Sequence, residues 1–292
     1  MGIAGATPGE ADTRRRAVSA EQTTPKTVVL IHGLWMTPLS WEHWIERYSS
    51  RGYEVLAPAW PGMDVDIEQL RNDTSAIETL GITEILDSYD AIIRGLENPP
   101  IIMGHSFGGA FTEILVDRGL GAAGVAIDAA GVRGVTKLPF SALKSGFPIL
   151  KNPANKHHAV PLTLEEFHYA FTNTMSDEEA KAAYERYAVP GPGRVLWEAA
   201  FANFNPRTPL QLDFKNEDRA PLLLIAGGDD HTVPAAVDRQ ASKRFERKSA
   251  ALTEYKEFAG RSHFTVGQDG WEEVADYALD WASEHAESQA PA

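Results

Sequence analysis

A serine framed by glycines, Gly104-His105-Ser106-Phe107-Gly108, is the stretch of this 292-residue chain best suited to covalent chemistry. The apolar run Ile101-Ile102-Met103 precedes it and a helix-like run follows, so Ser106 is expected on a strand-to-helix turn. On such a turn the serine holds a strained backbone conformation and its hydroxyl projects above the sheet. Side chains two residues before and two after would collide there, which gives Gly104 and Gly108 a steric role. The hydroxyl is a weak nucleophile until a base takes its proton.

Nine histidines are available as that base. Reactive groups in strand–helix folds lie beyond the carboxyl ends of the strands. His32, His105, His231 and His263 satisfy that condition. His32 reads as a turn-stabilising residue, and His105 is expected to be locked in the turn and to point away. The base comes last in chain order, after the acid, which selects His263 in Phe258-Ala-Gly-Arg-Ser-His-Phe264. A carboxylate must hold the imidazole in one tautomer and stabilise its cation. Asp229 and Asp230 both follow an apolar strand signal, and the spacing Asp-x-x-Val-Pro favours Asp230. Asp229 then reads as a loop or cap residue, and Asp128 remains an outside candidate. Two backbone N–H groups must face the developing oxyanion. Phe107 follows the nucleophile and supplies one; Leu34, in His32-Gly-Leu-Trp-Met36, supplies the other.

Six segments read as strands that could position these residues: 27–33, 53–60, 101–106, 124–131, 221–228 and 252–260. Helical spacing is expected over 38–52, 75–97, 234–245 and 271–286. This alternation implies an α/β fold, a mostly parallel sheet of about six strands with helices on both faces. Residues 26–131 and 220–286 form the expected core. Residues 132–219 lack a clear buried strand and read as an inserted helical lid, with aromatic-rich helical stretches at 163–187 and 193–204. Trp35, Phe167, Tyr169, Phe171, Trp197, Phe201 and Phe204 are candidates to line an apolar substrate pocket, or else to form the lid's own core. Residues 1–25 and 287–292 read as flexible tails.

The net charge of −14 argues against nucleic acid as a partner, disfavours anionic membranes and favours neutral or cationic substrates. There is no cysteine, which excludes disulfides, thiolate metal sites and cysteine nucleophiles, and fits a reducing cytoplasm as the expected location. No apolar run is long enough to span a membrane, and the N-terminus lacks the apolar stretch of a signal peptide. No histidine spacing suggests a metal, and no glycine-rich phosphate cradle suggests a nucleotide, so no metal or cofactor is expected. Monomer and homodimer are both left open.

With its four motifs, His32-Gly-Leu-Trp35, Gly104-His-Ser-Phe-Gly-Gly109, Gly227-Gly-Asp-Asp-His-Thr-Val-Pro234 and Gly260-Arg-Ser-His-Phe264, the chain resembles the α/β-hydrolase superfamily from Thr27 to about Ala286. The first motif is similar to those of compact bacterial esterases, cofactor-free perhydrolases and the plant methylesterase and hydroxynitrile-lyase group. Residues before Thr27 show no hairpin pattern, so a minimal sheet is implied. Ser106 in the nucleophile position speaks against the dehalogenase and epoxide-hydrolase branches, which use aspartate. Phe264 after His263 speaks against the lyase branch, which places lysine there. The resemblance implies a serine esterase acting with water on a small to medium hydrophobic ester. The same residues also suit a lactone, thioester, amide or C–C bond, a perhydrolase, or a binding protein that keeps the triad without turnover.

Overall fold

The computed structural model describes residues 25–287. The expected tails therefore lie outside the described residues, except for Pro25 and for Glu287, which ends the last helix.

Six strands form one sheet in the order β2-β1-β3-β4-β7-β8, every neighbouring pair parallel. They are β1 (Thr27–Ile31), β2 (Glu54–Leu56), β3 (Ile101–His105), β4 (Ala123–Ile127), β7 (Leu222–Gly227) and β8 (Thr253–Phe258). β3, β4 and β7 are buried along their whole length, as expected of mostly apolar strands whose two faces are both covered by helices. β2 is shorter than the expected 53–60, because Pro58 carries no N–H to continue the ladder. β4 stops at Ile127, because Asp128 turns to φ +46°.

Helices α1 (Glu42–Ser50) and α10 (Trp271–Glu287) cover one face. They are joined by Arg47 and Arg51 to Asp276, and the Tyr48 hydroxyl donates to Ala275 O and approaches Met103 Sδ of β3. The other face carries α3 (Ile82–Arg94), α4 (Phe107–Asp117) and α9 (Ala236–Glu246). On that face Gly124 of β4, paired with Ile102, abuts Val116 and Thr112 of α4. A short α2 (Ile67–Asn72) lies before α3. The helix expected over 75–97 is confined to α3: residues 75–79 form turns, and Gly81 is extended at φ −121°, ψ 176°. The segment expected as one helix over 38–52 is a 3-10 turn, Pro38–Trp41, followed by α1.

Between β4 and β7 lie α5 (Phe140–Leu150), α6 (Leu164–Phe171), α7 (Asp177–Tyr187) and α8 (Gly193–Ala200). The stretch 163–187 is two helices, each opened by its own capping box, Thr163 with Glu166 and Ser176 with Glu179. A two-residue antiparallel ladder, β5 (Ala159–Val160) with β6 (Gly191–Pro192), also occurs here, in a segment whose sequence shows no strand pattern.

Glu113 of α4 is buried beneath the sheet, and its Oε2 has no hydrogen-bond partner. Burial pushes its carboxyl up to about 8, against the opposing charge of Arg219. Its folded pKa lies above the unfolded value of 4.5, so the favourable contribution is complete below 4.5 and is lost as pH rises toward 8. Glu113→Gln should therefore be neutral near pH 4 and stabilise by on the order of 2 kcal/mol or more at pH 8. Urea unfolding at both pH values checks this; equal effects at the two would contradict the buried, neutral carboxyl.

Candidate active site

Ser106 stands between β3 and α4 with φ +59° and ψ −118°, outside the regions that L-residues normally occupy. Its N–H donates to Ile127 O at 2.9 Å, and its carbonyl accepts from Ala130 N at 3.0 Å, so β4 and the loop after it hold the turn from the side. A Cβ on Gly104 would lie 2.0 Å from Gly108 O, and one on Gly108 would lie 2.1 Å from Ile31 O. Those approaches leave glycine as the residue that fits at both positions. They also draw α4 down onto β1, whose following loop reaches the serine: a Cβ on Gly33 would lie 2.8 Å from Ser106 Cβ.

His263 arrives in the loop after β8. That loop is bound internally: Ser262 N and Oγ donate to Gln268 Oε1, and Arg261 donates to the carbonyls of Asp269 and Gly270. His263 Nε2 lies 3.0 Å from Ser106 Oγ, and His263 Nδ1 lies 2.6 Å from Asp230 Oδ2. Asp230 Oδ1 accepts from the backbone N–H groups of Thr232 and Val233 at 2.6 and 2.8 Å, which aims its other oxygen at the imidazole. Those two amides sit inside the Asp-x-x-Val-Pro spacing, and Pro234 follows them. Asp229 does not reach His263 by any hydrogen bond in the described residues; its backbone accepts from Asn173 and donates to Arg261 O. Ser106 and Asp230 are each 4% exposed and His263 is fully covered. Burial pulls the imidazole down, but the charge of Asp230, its hydrogen bond and the charge of Asp128 outweigh that, so the His263 pKa is raised above its ordinary 6.5.

Asp128 lies beside this pair without joining it; its Oδ1 accepts from Gly227 N at 2.5 Å. Burial, and then the charge of Asp230, push its carboxyl up to about 8. His105 does not point away from the site. Its ring lies 4.7 Å from that of His263, and its Nε2 donates to His263 O at 2.7 Å. Burial and the neighbouring His263 hold its pKa well below the usual histidine range. His105, Asp128 and His263 each bring one ligand-type atom within 4.8 Å of the others. Both His263 nitrogens and His105 Nε2 are already hydrogen-bonded, so the open atoms of the cluster are His105 Nδ1 and Asp128 Oδ2. His32 fits the turn role: its Nδ1 donates to Gly33 O, its Nε2 accepts from Trp60 N, and its ring stacks on Trp60. Burial lowers its pKa to about 4.

Leu34 lies in the loop after β1, and Phe107 is the first residue of α4, where an N–H has no acceptor within the helix. Trp35 has φ +65°; its Nε1 donates to Val160 O, and its carbonyl accepts from Val189 N. The loop is thus fastened to the segment between β4 and β7, a connection with no signal in the sequence. Of the aromatic candidates, Phe171 meets the His263 ring edge-on at 4.9 Å and Trp35 at 6.1 Å, and Phe167 stacks behind Phe171 at 4.9 Å. The main chain closes the same contact, with Phe264 N donating to Phe171 O at 2.8 Å. Tyr169 packs against His231. Trp197 and Phe201 stack on each other, and Phe201 and Phe204 are 52% and 84% exposed. Among the described residues, no ring contact joins these three to His263 or Trp35. Their helix packs against α3, α5 and the 3-10 turn Pro153–His157 instead.

Residues 28–277 match the model of the alpha/beta hydrolase family, and the chain belongs to that family. Among solved structures it is similar in fold to a pyrethroid hydrolase from Sphingobium faniae JZ-2, at 18% identity and a TM-score of 0.64, over 90% of this chain and all of that one (100%). An extracellular alpha/beta-hydrolase from a Paenibacillus species aligns at 21% identity and a TM-score of 0.62, over 88% of this chain and 99% of that one. A monoacylglycerol lipase from Paleococcus ferrophilus aligns at 20% identity and a TM-score of 0.59, over 90% and 96%. No curated protein matches the chain.

Gly104→Ala tests the close approach at the turn. With Gly108 O only 2.0 Å from the added carbon, a loss of about 3 kcal/mol or more is expected. An unchanged melting temperature would show that α4 can move away from β3.

Proposed function

We propose that this chain is a serine hydrolase that cleaves small to medium hydrophobic carboxylic esters. The observation that carries this reading is the continuous hydrogen-bonded line from Ser106 Oγ through His263 to Asp230. His263 Nδ1–H donates to Asp230, which leaves Nε2 free to accept the serine proton. Ser106 Oγ attacks the ester carbonyl, and the oxygen gains negative charge facing the N–H groups of Leu34 and Phe107. The His263 cation, stabilised by Asp230, protonates the leaving alcohol as the C–O bond breaks. Water enters, gives its proton to His263 and attacks the acyl-enzyme, releasing the acid and restoring the serine hydroxyl. Phe171 and Trp35 supply an apolar wall beside the imidazole. Residues 132–219 act as a lid: with His263 fully covered, substrate reaches Ser106 when Phe171 and its helix give way. The similar folds include proteins named as a monoacylglycerol lipase and a pyrethroid hydrolase, which supports a hydrolase reading.

Hydrolysis of p-nitrophenyl esters from acetate to palmitate tests the proposal. Ser106→Ala should abolish turnover and leave the fold intact. Asp230→Asn should lower kcat by about 10⁴-fold, and Asp229→Asn by less than about ten-fold. Full activity of Ser106→Ala would overturn the mechanism; a larger loss in Asp229→Asn would reassign the acid. If no ester turns over, a fluorophosphonate probe divides the remaining possibilities: an adduct on Ser106 points to an amide, thioester, lactone or C–C bond, and no adduct points to a binding role.

The pH dependence follows from the raised His263 pKa. Protonated His263 cannot accept the serine proton, so kcat/KM should fall as pH drops, with its midpoint above the ordinary 6.5. A midpoint below 6.5 would contradict the charge partnership with Asp230.

A further inference from the structure

Helix α5 is inverted relative to an ordinary surface helix. Its exposed positions are Phe140, Leu143, Lys144 and Phe147, spaced as one helical face. Its buried positions are Ser145, Gly146, Pro148 and Ile149. Phe140 is 79% exposed, Phe147 59%, and Leu138 just before the helix 65%. No described residue covers them, and contiguous exposed apolar surface of this kind marks an interaction site.

The charge around this helix opposes that of the chain. From Ala129 to Leu164 there are five cations, Arg133, Lys137, Lys144, Lys151 and Lys156, and no carboxylate, within a chain of net charge −14. Lys144 sits over the Tyr169 ring at 3.7 Å, which anchors the helix to α6. Lys137, three residues before Phe140, also lines a groove of about 470 Å³ along α9. The other charged residues of that groove are Arg239, Lys243, Arg244, Arg247 and Lys248, with no acid among its lining residues. Arg239 is paired with Glu257, and Arg244 donates to Gly134 O. Lys137, Lys243, Arg247 and Lys248 have no carboxylate partner among the described residues.

We propose that α5 and the adjoining basic groove form a docking surface for an anionic lipid interface, with Phe140, Leu143 and Phe147 entering the acyl boundary and the lysines and arginines meeting the phosphate headgroups. An apolar helical face bordered by cations is the pattern of a helix that lies in a membrane surface. A second copy of the chain is a poorer occupant, because pairing this face with itself sets its cations against each other. Nucleic acid would leave the apolar face unused. The whole-chain charge, which disfavours anionic membranes, averages over this local reversal. Because α5 packs on α6, which carries Phe171 against His263, docking would also act on the helix that covers the imidazole.

Vesicle flotation tests the proposal without reference to activity. Vesicles of phosphatidylcholine alone are compared with vesicles containing about 30% phosphatidylglycerol. The full chain should float with the anionic vesicles at least about ten-fold more than with the neutral ones, and less as salt rises from about 0.1 M to about 0.5 M. The combined variant Phe140→Ser, Leu143→Ser, Phe147→Ser should lose that binding, as should Lys243→Glu with Lys248→Glu, both with unchanged circular dichroism. Equal recovery with the two vesicle types, or binding untouched by either variant, would overturn the proposal. So would a doubled mass in gel filtration that returns to monomer in the triple variant, because the face would then belong to a second copy.

Discussion

The close approach of β1, β3 and α4 around Gly104 and Gly108 is the constraint on which the rest of the site depends. Any side chain at either position would enter a backbone carbonyl. Without that approach the turn would open, and Ser106 would relax from a conformation that local energetics disfavour. The strain is met by long-range structure: β4 accepts the serine N–H, Ala130 in the loop after β4 donates to its carbonyl, and the loop after β1 packs against its Cβ. A five-residue motif thus needs three parallel strands in register. For the same reason, the segments that supply the histidine and the acid must come from the next strands across the sheet, β7 and β8.

Second in importance is the dryness of this region. Beneath the Ser106–His263–Asp230 line lie further carboxyls, Asp128, Asp238 and Glu113, all raised by burial. Asp238 holds Ala129 N just after β4, and Asp128 holds Gly227 N at the end of β7. Asp230 differs from them in reaching the His263 imidazole and two backbone amide donors at once.

Much of this arrangement was legible in the residues because the chemistry is local. Gly104 to Gly108, Asp230 with its Val-Pro spacing, and the core strands rest on turn sterics and on unbroken apolar runs. The aromatics of residues 132–219 were not, because a helical aromatic reads the same whether it faces a neighbour, a site or solvent. Phe171 meets His263, but Phe201, one helix away, meets solvent. The start of the helix expected over 75–97 also differs, because residues 75–79 turn and Gly81 is extended before α3 begins. The orientation of His105 depends on a carbonyl in a loop 158 residues later, which no local pattern records.

The bonds from Trp35 to Val160 and Val189 bear on how such a protein can change over time. The loop after β1, which packs against Ser106, is fastened at two points to the segment between β4 and β7. The insertion is therefore not a detachable module. Exchanging it for a segment from another member of the fold would remove both anchors and leave Trp35, at φ +65°, without the contacts that hold it there. Change within this segment is more accessible by side-chain exchange than by recombination of whole segments. The boundary that looks like a seam in the chain is, in space, part of the site's frame.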